Sequence, residues 1–364
     1  MPSSRLPRLR YALAPLLLAA LLGGTLVATP AQAATPDRWG FAFMHTPIPA
    51  AGTIMDTTRQ WGSWKAGAPL LWATVDPIAV GRYRVTFPQT ASPGVAHVTA
   101  VSNAPRWCQV AGNNSVGANQ VLEVACFRTG GIPDWSQFTV MHSSSSGPLA
   151  PASGDYAYVV TNPLGGVLQS YNSTGAANLV LHAGPGLYVV NLTGLGIGLF
   201  DGNVQVTAQD PFTPRRCKVT NWLSTTPDHR LLISCYDQAG MLTDTAFNLS
   251  WHRERAVFGG LQPPANFAYL WRVGLGGPSD FNSQGGVNTV LPAGPGLELV
   301  EFPLVGHRQT HIQVTAFGGS TDYCGLQTVW QVVGTAVVAR NVICFTGAGA
   351  LAANPYFVTY TSRV

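Results

Sequence analysis

The chain has 364 residues, of which 10% are charged, with 20 Lys and Arg against 16 Asp and Glu, 40 Gly, 27 Pro and six Cys. Arg5, Arg8 and Arg10 open the chain, and setting these three aside takes the basic residues from 20 to 17, against 16 acidic ones. Such a balance leaves no basic stripe to neutralise a phosphate backbone, which argues against nucleic acid or an anionic membrane as a partner.

Residues 1–33 read as a secretory signal peptide: a basic start, the uncharged apolar stretch Tyr11 to Val27, and Ala31-Gln32-Ala33 ahead of Ala34. The stretch is shorter than the ~20 apolar residues of a spanning helix and carries Pro15 and Gly23-Gly24. No later segment is apolar for long enough, so a secreted, extracellular protein with no integral membrane segment after cleavage is expected. The lysines are Lys65 and Lys218, an arginine bias that fits a high-GC actinobacterial coding sequence.

From there on a unit recurs every ~108 residues. Val98-Thr99-Ala100 returns as Val204-Gln205-Val206-Thr207-Ala208 and as Ile312-Gln313-Val314-Thr315-Ala316. The cysteines follow the same period as Cys108/Cys126, Cys217/Cys235 and Cys324/Cys344, 18, 18 and 20 residues apart. In an oxidising compartment this predicts three disulfides, one per unit; a zinc site would want C-x-x-C pairs or nearby histidines, which are missing. Module one spans 34–142, module two 155–255 and module three 265–364, with Ser- and Gly-rich 143–154 and Gly- and Pro-rich 259–264 as linkers.

Within each module short alternating runs are split by Gly, Pro, Asn and Asp. In module two these are Asp155 to Val160, Leu187 to Leu192 after Gly184-Pro185-Gly186, Val204 to Ala208, Arg216 to Val219, Leu231 to Tyr236 and Phe247 to Trp251. That pattern predicts antiparallel strands and an all-β fold of three tandem, Ig-like β-sandwich domains, each with one intra-domain disulfide. Phe267-Ala268-Tyr269, the Asn-Ser-x-Gly-Gly run at Asn282, the Gly-x-Gly at Gly294, Val-Gln-Val-Thr-Ala and the Cys-Phe near the close resemble a repeat of secreted actinobacterial proteins. The resemblance covers the mature chain and implies secreted tandem β-domains with no assigned activity.

Catalytic signatures are sparse. The sequence has no Gly-x-Ser-x-Gly elbow, no His-Glu-x-x-His and no phosphate-cradling glycine loop, and paired cysteines leave no free nucleophile. His307 and His311 stand four apart just before the strand Ile312 to Ala316 and read as loop histidines rather than a metal pair. Glu298 and Glu301 should point to opposite faces of one strand, unlike the facing carboxylates of a glycosidase. Asp134, Asp244 and Asn354 precede Phe138, Phe247 and Phe357 at comparable places and read as turn caps. A Ser-His-Asp site assembled from distant loops stays open as the enzymatic reading.

Trp61, Trp64 and Trp72 break the repeat in module one, beside Lys65 and Arg59. They suggest an aromatic platform on which a sugar ring would stack, Trp61 and Trp64 being the exposed pair and Trp72, within Leu70-Leu71-Trp72-Ala73, belonging to the core. The alternative is that all three fill module one. The expectation is therefore a non-enzymatic secreted binding or structural protein without cofactor or metal, acting on polysaccharide or another extracellular protein.

Overall fold

In the computed structural model the described residues are 37–147, 154–198, 200–258, 264–273 and 279–364, so the leader expected at 1–33 and parts of both linkers lie outside them. Residues 35–364 form one compact unit. Apart from one 3-10 turn at Ser63–Ala66, the described elements are strands.

Each module folds into two facing antiparallel sheets from eight principal strands. In module two the strands are Asp155–Thr161, Val167–Asn172, Asn178–Gly184, Leu187–Leu192, Asn203–Gln209, Arg216–Ser224, His229–Tyr236 and Ala246–Arg253. The second, first, eighth and fifth make one sheet; the third, fourth, seventh and sixth make the other. Module one repeats this order from Arg38–Met44 to Gln137–Ser144, and module three from Phe267–Arg272 to Tyr356–Ser362. These are the expected two-layer antiparallel sandwiches, with a strand order in which the first and last strands are neighbours. Ser143 and Ser144, read as linker, belong to the eighth strand of module one and are buried.

The two sheets differ in what they face, and their sequences show it. In the fourth strand Leu187–Leu192, Tyr188, Val190 and Leu192 point into the core while their neighbours stay at least partly exposed, the period-two pattern of a sheet with one wet face. The fifth strands Val95–Val101 and Thr310–Ala316 are instead buried along their whole length. Their second face is covered by the other modules.

The cysteines pair directly across the sixth and seventh strands of each module, Cys108 with Cys126, Cys217 with Cys235 and Cys324 with Cys344. The second cysteine of each pair also fixes the preceding hairpin. Its backbone N–H donates to Gly81, Gly186 or Gly296, at 2.7, 2.8 and 3.0 Å. Those glycines have φ of 67°, 65° and 68°, which favours glycine, and in module two a Cβ would fall 2.6 Å from the Cys235 carbonyl oxygen.

The three sandwiches close into a ring. The end of the fifth strand of module two pairs in parallel with the sixth strand of module one (Gln209 with Val110), that of module one with module three (Val101 with Leu326), and Phe317 of module three with Val219 of module two. At each junction the next N–H donates to the same carbonyl: Asp210 to Val110 (3.0 Å), Ser102 to Leu326 (2.8 Å) and Gly318 to Val219 (2.9 Å). A head-to-tail contact that closes after three copies gives a threefold ring, here written in one chain.

The recurring Val-Thr-Ala run lines the axis of that ring. Val206 N–H donates to Thr315 Oγ1 (3.0 Å), Val314 N–H to Thr99 Oγ1 (3.0 Å) and Val98 N–H to Thr207 Oγ1 (3.5 Å). Each threonine hydroxyl also meets the side chain two residues before the neighbouring threonine: Thr315 donates to Gln205 Oε1 (2.9 Å), Thr99 donates to Gln313 Oε1, and Thr207 Oγ1 shares a hydrogen bond with His97 Nδ1 (3.1 Å). Buried polar groups are tolerable when paired in this way. The valines of the same strands, Val98, Val206 and Val314, turn to the sandwich cores instead.

Candidate functional site

Trp64 lies inside module one at 1% exposure, against Phe87, with its indole N–H donated to the Leu71 carbonyl (3.0 Å). Room is made by two glycines: a Cβ on Gly62 would stand 1.9 Å from the Trp64 ring and one on Gly40 2.5 Å from it. Like Trp222 and Trp330 it is a fully buried indole, but its ring neighbour Phe87 belongs to its own module, whereas Trp222 meets Trp271 and Phe357 of module three and Trp330 meets Phe43 of module one. Trp64 is thus core, contrary to the expected exposed pair, because the 3-10 turn at Ser63–Ala66 carries it inward despite its polar neighbours.

Trp61 and Trp72 are half-buried. Lys65 stands between them, its ammonium 3.2 Å from the centre of the Trp72 ring and 5.4 Å from that of Trp61, while donating to the Pro69 and Leu71 carbonyls (2.8 and 2.6 Å). The Arg363 guanidinium lies 4.9 Å from the Trp61 ring centre. Trp72 is therefore not the core residue it was taken for, and both indoles already carry cations on their π-systems.

Among the other sequence candidates, His307 is exposed, but His311 is buried in the strand Thr310–Ala316. It accepts from Gln313 Nε2 at its own Nε2 (3.1 Å) and donates from Nδ1 to Thr139 of module one (2.8 Å), making it an axial residue rather than a loop one. The Asp134, Asp244 and Asn354 correspondence also shifts: Asp134, Thr243 and Ala352 are the structural equivalents, each donating its N–H to the second cysteine's carbonyl. Asp134 holds Arg106 (2.8 Å), whereas Asp244 accepts from Gly186 N–H (2.7 Å) and pairs with His182 (2.8 Å).

Position 298 is where module three departs in chemistry. Two residues after the turn glycine, modules one and two carry Tyr83 and Tyr188, each packed edge-on against Phe138 or Phe247 at 5.1 and 5.0 Å. Module three has Glu298 there and Tyr356 in place of the phenylalanine, as the pairing of Phe138, Phe247 and Tyr356 with Ala100, Ala208 and Ala316 shows. Glu298 takes a bidentate ion pair from Arg272 (2.9 and 3.0 Å) and a hydrogen bond from the Tyr356 hydroxyl (2.8 Å). Burial, reinforced by the adjacent carboxylate, raises the Tyr356 pKa well above its ordinary value and keeps it a donor.

Beside this triad opens a cavity of about 410 Å³, walled by Pro292, Pro295, Leu297, Val342, Ala353 and Pro355. Apolar walls with a few convergent polar groups are the usual make-up of a small-molecule site. The sequence carried a signal for it, since Gly81-Arg82-Tyr83 and Gly186-Leu187-Tyr188 align with Gly296-Leu297-Glu298, but it needs the cross-strand partner Arg272 to be meaningful.

Comparisons with protein-family models, curated proteins and solved structures found no match for the chain. Among the described residues no helix is long and apolar enough to cross a membrane, and no group of three or more His, Cys, Asp or Glu is placed to hold a metal.

Proposed function

We propose that the protein is a secreted, non-enzymatic binding protein whose ligand seat is the module-three cavity. What carries the reading is the Arg272–Glu298–Tyr356 triad, because it replaces, in one module of three, an aromatic pair that the other two keep. A pure packing role would be served by the Tyr and Phe of the other modules. The carboxylate is neutralised and hydrogen-bonded rather than left free to transfer a proton, which suits recognition better than general acid–base work. The cavity fits a small ligand with an apolar body and one hydrogen-bonding end.

A second reading, a polysaccharide-binding surface, rests on the partial exposure of Trp61 and Trp72. One experiment treats both: retention of purified protein on insoluble polysaccharides and binding of a small-molecule fragment set, for wild type, Leu297→Trp (which should fill the cavity) and Trp61→Ala. Loss of fragment binding in Leu297→Trp supports the cavity reading. Turnover in a broad hydrolase screen, or retention that Trp61→Ala alone abolishes, would overturn it.

A further inference from the structure

At one end of the axis the residues that precede the first cysteine of each module, Trp107, Arg216 and Tyr323, meet. The Arg216 guanidinium lies 4.8 Å from the Trp107 ring centre and 4.7 Å from that of Tyr323, and the two rings are 5.5 Å apart. Arg216 is 7% exposed, yet its Nε, Nη1 and Nη2 have no hydrogen-bond partner among the described residues, and the Trp107 indole N–H is buried without one as well.

A second cation shares the pocket. Lys218, also buried, gives its ammonium to Ser320 Oγ and the Asp322 carbonyl, both at 3.2 Å. Asp237 and Asp322 lie near enough to favour the charged form of Arg216, but among the described residues neither it nor Lys218 has a carboxylate oxygen within ion-pair distance. Burying a cation without a counter-charge is costly, and Arg216 has no acceptor among the described residues either. Something must supply acceptors.

The space is there. A cavity of about 60 Å³ is lined by Arg216, Lys218, Trp107 and Tyr323 together with the ends of all three fifth strands, where Ala100, Ala208 and Ala316 present only methyl groups. At roughly 10–15 Å³ per water centre it holds a handful of waters or one small anion.

We propose that this axial pocket is an anion site, holding a small oxyanion or carboxylate group that accepts from the Arg216 guanidinium beside Lys218. A flat guanidinium edge matches such a group in a two-point contact, and all three Arg216 nitrogens are without a protein acceptor among the described residues. The site is built by all three modules and is separate from the module-three cavity.

The test uses the full mature chain dialysed free of small anions. Calorimetric titration with sodium sulfate, sodium acetate and sodium chloride at matched ionic strength should give a saturable, one-to-one signal for sulfate or acetate, and which of the two binds tells an inorganic oxyanion from a carboxylate ligand. Lys218→Met should weaken that binding at least tenfold, and Arg216→Met should abolish it. Without anion Arg216→Met should melt above wild type, since it removes an unpaired buried charge, and the order should reverse at saturating anion. Absence of a saturable signal in wild type, or an equal response in Arg216→Met, would mean that the pocket holds water only and would overturn the proposal.

Discussion

A side chain's setting here depends on what its distant neighbours leave free, and Trp64 shows it. Its ring fills space created by Gly40 and Gly62, where the chain is extended at Gly62 and any residue would satisfy the backbone; only size excludes a Cβ. Trp64→Ala should cost about 3–5 kcal/mol, as loss of a buried aromatic does. Gly62→Ala should cost about 1–3 kcal/mol by overpacking, and the double variant should be less destabilised than the sum, since removing the indole relieves the clash with the ring and leaves only that with the Trp39 carbonyl oxygen, 2.6 Å from the Cβ. Denaturant melts of the three variants check this, and strict additivity would refute the contact. Sequence reading missed the role because Gly62, Ser63 and Lys65 look like surface company, whereas the glycines signal close approach and the Lys65 stem and ammonium fold back onto Trp72 and two carbonyls.

At the scale of strands and turns the sequence was far more legible. Period-two alternation, Gly-Pro-Gly turns and the cysteine spacing lead to antiparallel hairpins and to the three disulfides found, because each is a local property. The fifth strands were legible as strands but not as the axis: Gln205, Thr207, Gln313 and Thr315 alternate with apolar residues as on any half-exposed strand, and only their partners in other modules make that face interior. The Glu298 site needed the same cross-strand knowledge. Turn glycines can be tested individually. Gly186→Ala would force a left-handed φ and bring a Cβ within 2.6 Å of the Cys235 carbonyl and 2.5 Å of Thr243 N, so about 2–4 kcal/mol of stability should be lost. Gly175→Ala, at φ 80° with nothing within 4 Å, should cost about 1 kcal/mol. Equal costs would show that conformation alone, and not the lock onto the second cysteine, keeps the glycine.

For the molecule as a whole, the axis couples folding to pH. His97 and His252 are buried with pKa values pushed down to about 3, and His311 is held well below its ordinary value, in each case chiefly by burial. Each spans a junction: His97 to Ser250 (2.9 Å), His252 to Thr359 (3.2 Å) and His311 to Thr139 (2.8 Å). They are neutral when folded and take up protons on unfolding below pH ~6.5, so the unfolded chain binds more protons and stability falls as pH falls. With His142 and His229, buried and likewise pushed down to about 3, five such groups give a slope of up to about 7 kcal/mol per pH unit, enough to exhaust a typical 5–15 kcal/mol within a few units. Tm should be flat above pH ~7.5 and drop steeply from pH ~6.5 to ~5. His97→Gln, which installs what the other two modules use at that place, should keep the Thr207 contact and reduce the slope by about a fifth. A Tm that is level down to pH 5, or an unchanged slope in that variant, would contradict the assignment.

The closed ring has a further consequence. Three separate subunits would find one another only above some concentration and would part on dilution, whereas copies joined in one chain meet at an effective concentration in the millimolar range however little protein is present. Covalent continuity also frees the copies from identity. A homotrimer with arginine before its first cysteine would crowd three like charges onto its axis; this chain sets one arginine there between a tryptophan and a tyrosine. Writing the ring in one chain thus allows a single, directional feature at the very point where symmetry would otherwise demand sameness.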